Sequence, residues 1–230
     1  MLEKKNQKED PEQKIETAID NTEIFIRKNG KVLLIVLGAV FLIVCAYFGA
    51  KYLYSMPREE KASAMMFGAQ QRFQVDSFDV ALNGGNGYAG FLEVIDTYGS
   101  TNAGNIANHY AGICYLKQGD YQNAIKYLGK YSHTKGIASE VINAQNYGLM
   151  GDVNVQLGNL QEAVKMFEKA VEATDNDFTA PYYLKKLGMV NEKLNNKAQA
   201  LKAYERILNE YPTSFEGRDI EKYIGRLAQN

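Results

Sequence analysis

The six residues Gly85-Asn86-Gly87-Tyr88-Ala89-Gly90 match the dinucleotide fingerprint G-x-G-x-x-G letter for letter. That fingerprint holds a pyrophosphate only where a strand leads into it and a helix starts from it, with an acidic residue roughly twenty positions on. Here the preceding segment has helical periodicity and no strand–helix–strand unit follows, so the sequence predicts a flexible inter-helix loop. His109 and His133 stand without a Cys or second His at ligand spacing and suggest no metal site. Cys45 lies in an apolar run and Cys114 in a helical pattern; no bridge between them is expected, and Cys114 reads as a buried thiol. There is no nucleophile elbow, phosphate-binding loop, metalloprotease motif or carboxylate pair of recognisable spacing. These residues predict a non-enzyme without a cofactor.

The charge balance closes off another class. Across 230 residues, 26 Lys and Arg face 27 Asp and Glu, a formal charge of −1. That leaves no broad positive field for nucleic acid. The hydrophobic share of 46% is unevenly spread, because residues 32–50 carry no charge at all. As a helix this run spans about 28 Å, close to the roughly 30 Å hydrocarbon core of a bilayer. Lys31 and Lys51 close its ends, and Tyr47, Tyr52 and Tyr54 sit where amphipathic rings favour an interface. Residues 32–54 are therefore expected to be a transmembrane helix. A buried core helix and a cleaved signal peptide are the alternatives; a leading segment with seven acidic residues speaks against the latter.

Residues 1–31 read as a charged tail with seven basic and seven acidic side chains. Ile15, Ile19, Ile24 and Phe25 could give it a weak amphipathic stripe, a helix over about 12–28. Lys and Arg flank the span evenly, with a small lean toward the amino side from Arg27, Lys28 and Lys31.

Beyond the span, the chain repeats. Gly112, Gly151 and Gly188 recur at steps of 39 and 37, and Ala124, Ala163 and Ala200 follow them by 12 each time. A fixed offset inside a unit with a variable spacer between units is the signature of stacked helical hairpins. The glycines are expected where two helices cross, opposite those alanines, with Leu128, Phe167 and Tyr204 filling the gap to the next hairpin. Gly119-Asp120, Gly158-Asn159 and Asn195-Asn196 would make the turns, where positive φ and helix starts are tolerated. A degenerate hairpin over 58–100 precedes them: one helix from Ala62 to Leu82 with Ala62, Met65, Met66, Ala69 and Phe73 on one face, then a partner over 88–98. Ile220, Tyr223, Ile224 and Leu227 predict a capping helix within 216–229. No period-two pattern appears, so the fold class is all-α: one amino-terminal span, then an α-solenoid over 55–230.

This pattern resembles the tetratricopeptide repeat, with copies at about 105–138, 144–177 and 181–214. The resemblance implies a concave groove lined by the first helix of each hairpin. Carried onto this register, the peptide-binding residues are His109, Ile113, Leu116 and Lys117; Gln145, Asp152 and Gln156; and Tyr182, Lys185, Met189, Glu192 and Lys193. The family's carboxylate clamp for acidic tails needs Lys and Asn at positions that carry His109, Ile113, Leu149, Tyr182 and Lys186 here, so most of that clamp is missing. A short charged tail ending in Phe25-Ile26-Arg27-Lys28-Asn29-Gly30-Lys31, one span and degenerate repeats also resemble the bacterial inner-membrane tetratricopeptide proteins that accompany the Sec translocon. That resemblance implies a cytoplasmic tail, a periplasmic repeat domain, and translocon subunits, periplasmic chaperones or unfolded clients as partners. A scaffold for another envelope assembly is the alternative. The 16 tyrosines leave a homodimer open.

Overall fold

The computed structural model describes residues 11–85, 87–174 and 176–228. The chain divides into two compact units after Pro57.

In the first unit, helix α1 runs from Pro11 to Gly49 and leads into a six-residue π-helical turn, Ala50–Ser55. Pro11 suits a first helical position, where its missing N–H is not needed. The helix expected over 12–28 and the apolar run are thus one element, while the first ten residues of the charged tail lie outside the described residues. Large apolar side chains are exposed on every side of it, among them Leu34, Ile35, Phe41, Leu42 and Ile43. It contains the one stretch among the described residues that is long and apolar enough to cross a membrane. Phe48 and Tyr52 stack at the π-turn, their ring centres 6.0 Å apart.

In the second unit, eight of the helices form successive pairs with short links. The order is α2 (Met56–Gln74), α3 (Phe78–Asn83), α4 (Phe91–Tyr98), α5 (Asn102–Lys117), α6 (Tyr121–Leu128), α7 (Ile137–Gln156), α8 (Leu160–Glu172), α9 (Ala180–Lys193), α10 (Lys197–Glu210) and α11 (Ile220–Ala228). Among the described residues there is no strand, only an isolated bridge between Gly85 and Tyr88. The unit is an all-α solenoid of helical hairpins, closed by α11, whose Ile220, Tyr223, Ile224 and Leu227 pack onto the last core cluster.

The single helix expected over Ala62–Leu82 is two. Asp76 takes a left-handed φ of +55°, and the amides of Asp76 and Ser77 close back onto Phe73 and Arg72 carbonyls. An aspartate in that conformation ends a helix, and the chain restarts at Phe78. Phe73, Phe78, Phe91 and Tyr110 gather over the bend, with Phe91 stacked on Tyr110 at 5.2 Å. The glycine-rich segment after it joins two helices, α3 and α4. Gly85 and Tyr88 exchange both backbone hydrogen bonds across it, and a Cβ on Gly90 would lie 2.3 Å from the Leu82 carbonyl oxygen. It is a tight turn with no strand leading in.

In the repeats, the three turns share one backbone geometry. Gly119, Gly158 and Asn195 have φ of +79°, +78° and +58°. The amides of Asp120, Asn159 and Asn196 each reach back five residues, to Tyr115, Asn154 and Asn191, a Schellman-type closure. The glycine partner differs from the expected one. A Cβ on Gly112 would lie 2.6 Å from Leu128, on Gly151 2.6 Å from Phe167, and on Gly188 2.2 Å from Tyr204. The large residue sixteen positions on therefore seats on the glycine of its own hairpin. The alanines are fully buried beside it but are not what the glycine makes room for.

Candidate peptide-binding face

Helices α5, α7 and α9 hold the twelve side chains singled out above. They do not share one environment. His109 and Ile113 are buried, at 2% and 7% exposure, and cannot line an open groove. The reason is the packing of α5, which touches α3, α4, α6 and α7 and so is covered on nearly every side. Leu116 is half-buried in an apolar cluster with Tyr121, Ile125, Leu149 and Met150. Lys117 is exposed and lies 5.9 Å over the Phe78 ring.

His109 instead joins two hairpins. Asn146, itself fully buried, donates from Nδ2 to the Leu128 carbonyl at 3.1 Å, so its Oδ1 faces His109 Nδ1 at 2.9 Å and accepts from it. Desolvation by burial holds the imidazole below its ordinary value, against the opposing effect of its hydrogen bonds with Asn146 and Gln145. His133, in the following connection, stacks on Tyr147 with ring centres 4.1 Å apart. Burial and the nearby Lys169 charge lower its pKa too. Cys114 is buried, and desolvation pushes its thiol up to about 12, where it is no nucleophile.

The charges of α7 and α9 are largely matched by neighbours. Lys186 donates to both carboxylate oxygens of Asp152 at 2.7 Å. Burial alone would lower the Lys186 pKa, but the hydrogen bonds and charge of Asp152 and Tyr182 outweigh it and raise it. Glu192 accepts from Arg226 with both oxygens at 2.7 Å and from Tyr204 Oη at 2.6 Å. Lys185 lies 4.9 Å over the Tyr223 ring. Asp152, Glu192 and Lys185 thus tie helix to helix rather than point outward, and α11 supplies two of the three partners. Gln145, Gln156 and Lys193 are exposed. Tyr182 and Met189, 43% and 45% exposed, are one α9 face seven residues apart, the apolar part of the expected set that stays open.

Sequence reasoning missed the residues beside them. Phe178 and Phe215 are 89% and 76% exposed, in the connections before α9 and α11. With Tyr182 they line a cleft of about 650 Å³, to which exposed Asp177 and Arg218 and buried Glu216 also contribute. A second cleft, of about 510 Å³, lies between α8 and α10 over α9, with Glu168 and Glu172 on one side and Lys202 and Arg206 on the other. Asn176 and Ser214, each one or two residues before a phenylalanine, were the available signal, since both types start turns that fix a neighbour's direction. Among the described residues, no three His, Cys, Asp or Glu gather to hold a metal.

Tetratricopeptide-repeat models match the sequence at residues 107–133 and 186–214, and at 144–177. No curated protein matches it. Among solved structures, a crystal structure of MamA protein is similar at a TM-score of 0.54 and 18% identity, over 74% of this chain and 89% of that one. A second crystal structure of MamA gives 0.42 and 18%, over 60% and 87%. The chain carries tetratricopeptide repeats, and its second unit has a tetratricopeptide-like solenoid fold. Such repeats make it a module for protein–protein interaction.

Proposed function

We propose that this chain is a membrane-tethered interaction protein that holds segments of partner proteins at the periplasmic side of a bacterial inner membrane, assisting chaperone or client handling at the Sec translocon. Residues 32–54 would span the bilayer, residues 1–31 would lie in the cytoplasm, and the repeats at about 105–138, 144–177 and 181–214 would face the periplasm. The observation that carries the tether is a charge-free helical run whose apolar side chains are exposed on every side. Such a surface needs lipid or protein around it. The closely spaced Arg27, Lys28 and Lys31 support the orientation. Tethering would raise the effective concentration of the repeats for partners at one membrane site.

Three measurements test this. Alkaline carbonate should leave the chain in the membrane pellet; release into the supernatant refutes the anchor. A membrane-impermeant maleimide should label a cysteine placed at exposed Gln156 in intact spheroplasts; protection reverses the orientation. After mild solubilisation, translocon subunits and periplasmic chaperones should co-purify. Their absence, with subunits of another envelope machine present instead, favours a scaffold for that machine.

A further inference from the structure

Phe178 and Phe215 occupy equivalent places in two successive connections, each just before the helix that opens the next element. Neither is exposed because its loop is loose. Asn176 Oδ1 accepts from the amides of both Phe178 and Thr179 at 2.9 Å. Ser214 Oγ donates to the Tyr211 carbonyl at 2.7 Å and accepts from the Gly217 amide at 3.0 Å. Both backbones are clamped, so the two rings are presented outward with little main-chain entropy left to lose on binding. Tyr182 closes the cleft between them.

Its dimensions limit the occupant. A volume of about 650 Å³ suits a few side chains, whereas a stable protein pair buries about 800 Å² on each partner. The electrostatics limit it further. The neighbouring charges on α9 are already matched, Lys186 by Asp152 and Glu192 by Arg226, and the rim carries both signs. No single-sign field is available to select a charged tail.

We propose that the clamped aromatic lip formed by Phe178, Tyr182 and Phe215 takes the apolar side chains of an extended, uncharged stretch of unfolded polypeptide. This rests on the reading of the repeats as a module that holds partner segments, and it names the chemistry of the segment. Contact comes from ring area, and the ion pairs on α9 stay closed while the segment is bound. A folded domain would meet the two rings at points only, whereas an extended chain places alternate side chains into the cleft.

The test uses the full chain in lipid nanodiscs and three fluorescein-labelled twelve-residue peptides: one of Phe and Leu spaced by Ser and Gly, and the same sequence with three Asp or three Lys replacing Ser. The neutral peptide should bind, with less than a twofold change in affinity between low and high salt. Phe178→Ser and Phe215→Ser should each weaken it roughly tenfold, with thermal unfolding unchanged, since both rings are exposed. Tighter binding of the Asp or Lys peptide, lost in salt, overturns the inference and leaves the peptide-holding module standing. So does full binding by the Phe178→Ser/Phe215→Ser double variant. Failure of all three peptides overturns both. Sedimentation showing a dimer that the double variant dissolves makes a second copy the occupant and refutes the proposal.

Discussion

Two joints between successive hairpins are built from the same repeat yet held together differently. At the first, between α6 and α7, a small apolar cluster of Ile125 and Leu128 with Leu149, Met150 and Val153 is supplemented by a polar network. Asn105 exchanges two 2.7 Å hydrogen bonds with the backbone of Ser132, Tyr131 Oη donates to Asn143, Asn143 donates to the Thr134 carbonyl, and His109 and Asn146 meet in the interior. At the second, between α8 and α9, the link is a ring in a notch: a Cβ on Gly148 would lie 2.1 Å from Tyr183, and Phe167, Ala170, Val171 and Leu184 continue one core across the joint. Apolar burial adds area without demanding exact partners. A buried polar joint is strong only while every group is paired. The second joint should therefore be the more robust, and the first the more responsive to conditions.

The largest effect expected is at the notch. Gly148→Val leaves Tyr183 no seat and should cost about 3 kcal/mol, read as a lowered urea midpoint of the full chain in detergent by circular dichroism. A loss under about 1 kcal/mol would mean that the ring repacks freely and the contrast with the first joint is false. Asn146→Ala comes next. It removes the acceptor that faces buried His109 Nδ1 and leaves the Leu128 carbonyl only the 3.3 Å bond from the Tyr131 amide, for about 2 kcal/mol. If hydrogen exchange then rises in α9 as much as in α5 and α6, the two joints are not separable.

Asp152→Ala should cost about 1 kcal/mol, because Lys186 and Asp152 remain 24% and 35% exposed and solvent screens the pair. A double-mutant cycle with Lys186→Ala should show that most of this loss is shared; additive losses would make the pair incidental. The smallest effect is acidification. Both imidazoles titrate below the ordinary 6.5, so the folded chain resists the protons that the unfolded chain accepts. Stability is complete above about pH 6.5 and falls as pH drops through the lowered values. Hydrogen exchange should quicken first in α5, α6 and the start of α7, and His109→Gln should blunt the change. Equal quickening in α9 and α10 would erase the distinction.

Much of the frame was legible in the residues. Matched intervals among Gly112, Gly151 and Gly188 and the turn pairs Gly119-Asp120, Gly158-Asn159 and Asn195-Asn196 gave phase and hairpin ends, because steric tolerance restricts those positions to few residue types. What crosses between helices was less legible. A position on a helical wheel gives an angle but not what lies over it, so His109 and Ile113 looked open while four helices cover α5. Spacing also could not tell which residue seats on a glycine, since Ala124 and Leu128 lie one turn apart on the same face. Phe178 and Phe215 escaped notice because a search by helical period passes over a lone ring in a connection. The bend at Asp76 was hidden by apolar periodicity that continues on both sides of it.

Because each of the three repeat hairpins locks its own glycine at an identical separation along the chain, evolution can lengthen or shorten this part of the protein only in certain ways. Copying a whole hairpin carries lock and key together, and the variable links absorb the seam. Adding one residue to the elbow Gln118–Asp120 would break the five-residue closure of Asp120 onto Tyr115 that fixes where α6 starts, and with it the register that seats Leu128 on Gly112. Tolerated changes of length should therefore fall between units and never within the short elbows, a rule that deep mutational libraries of insertions could read directly.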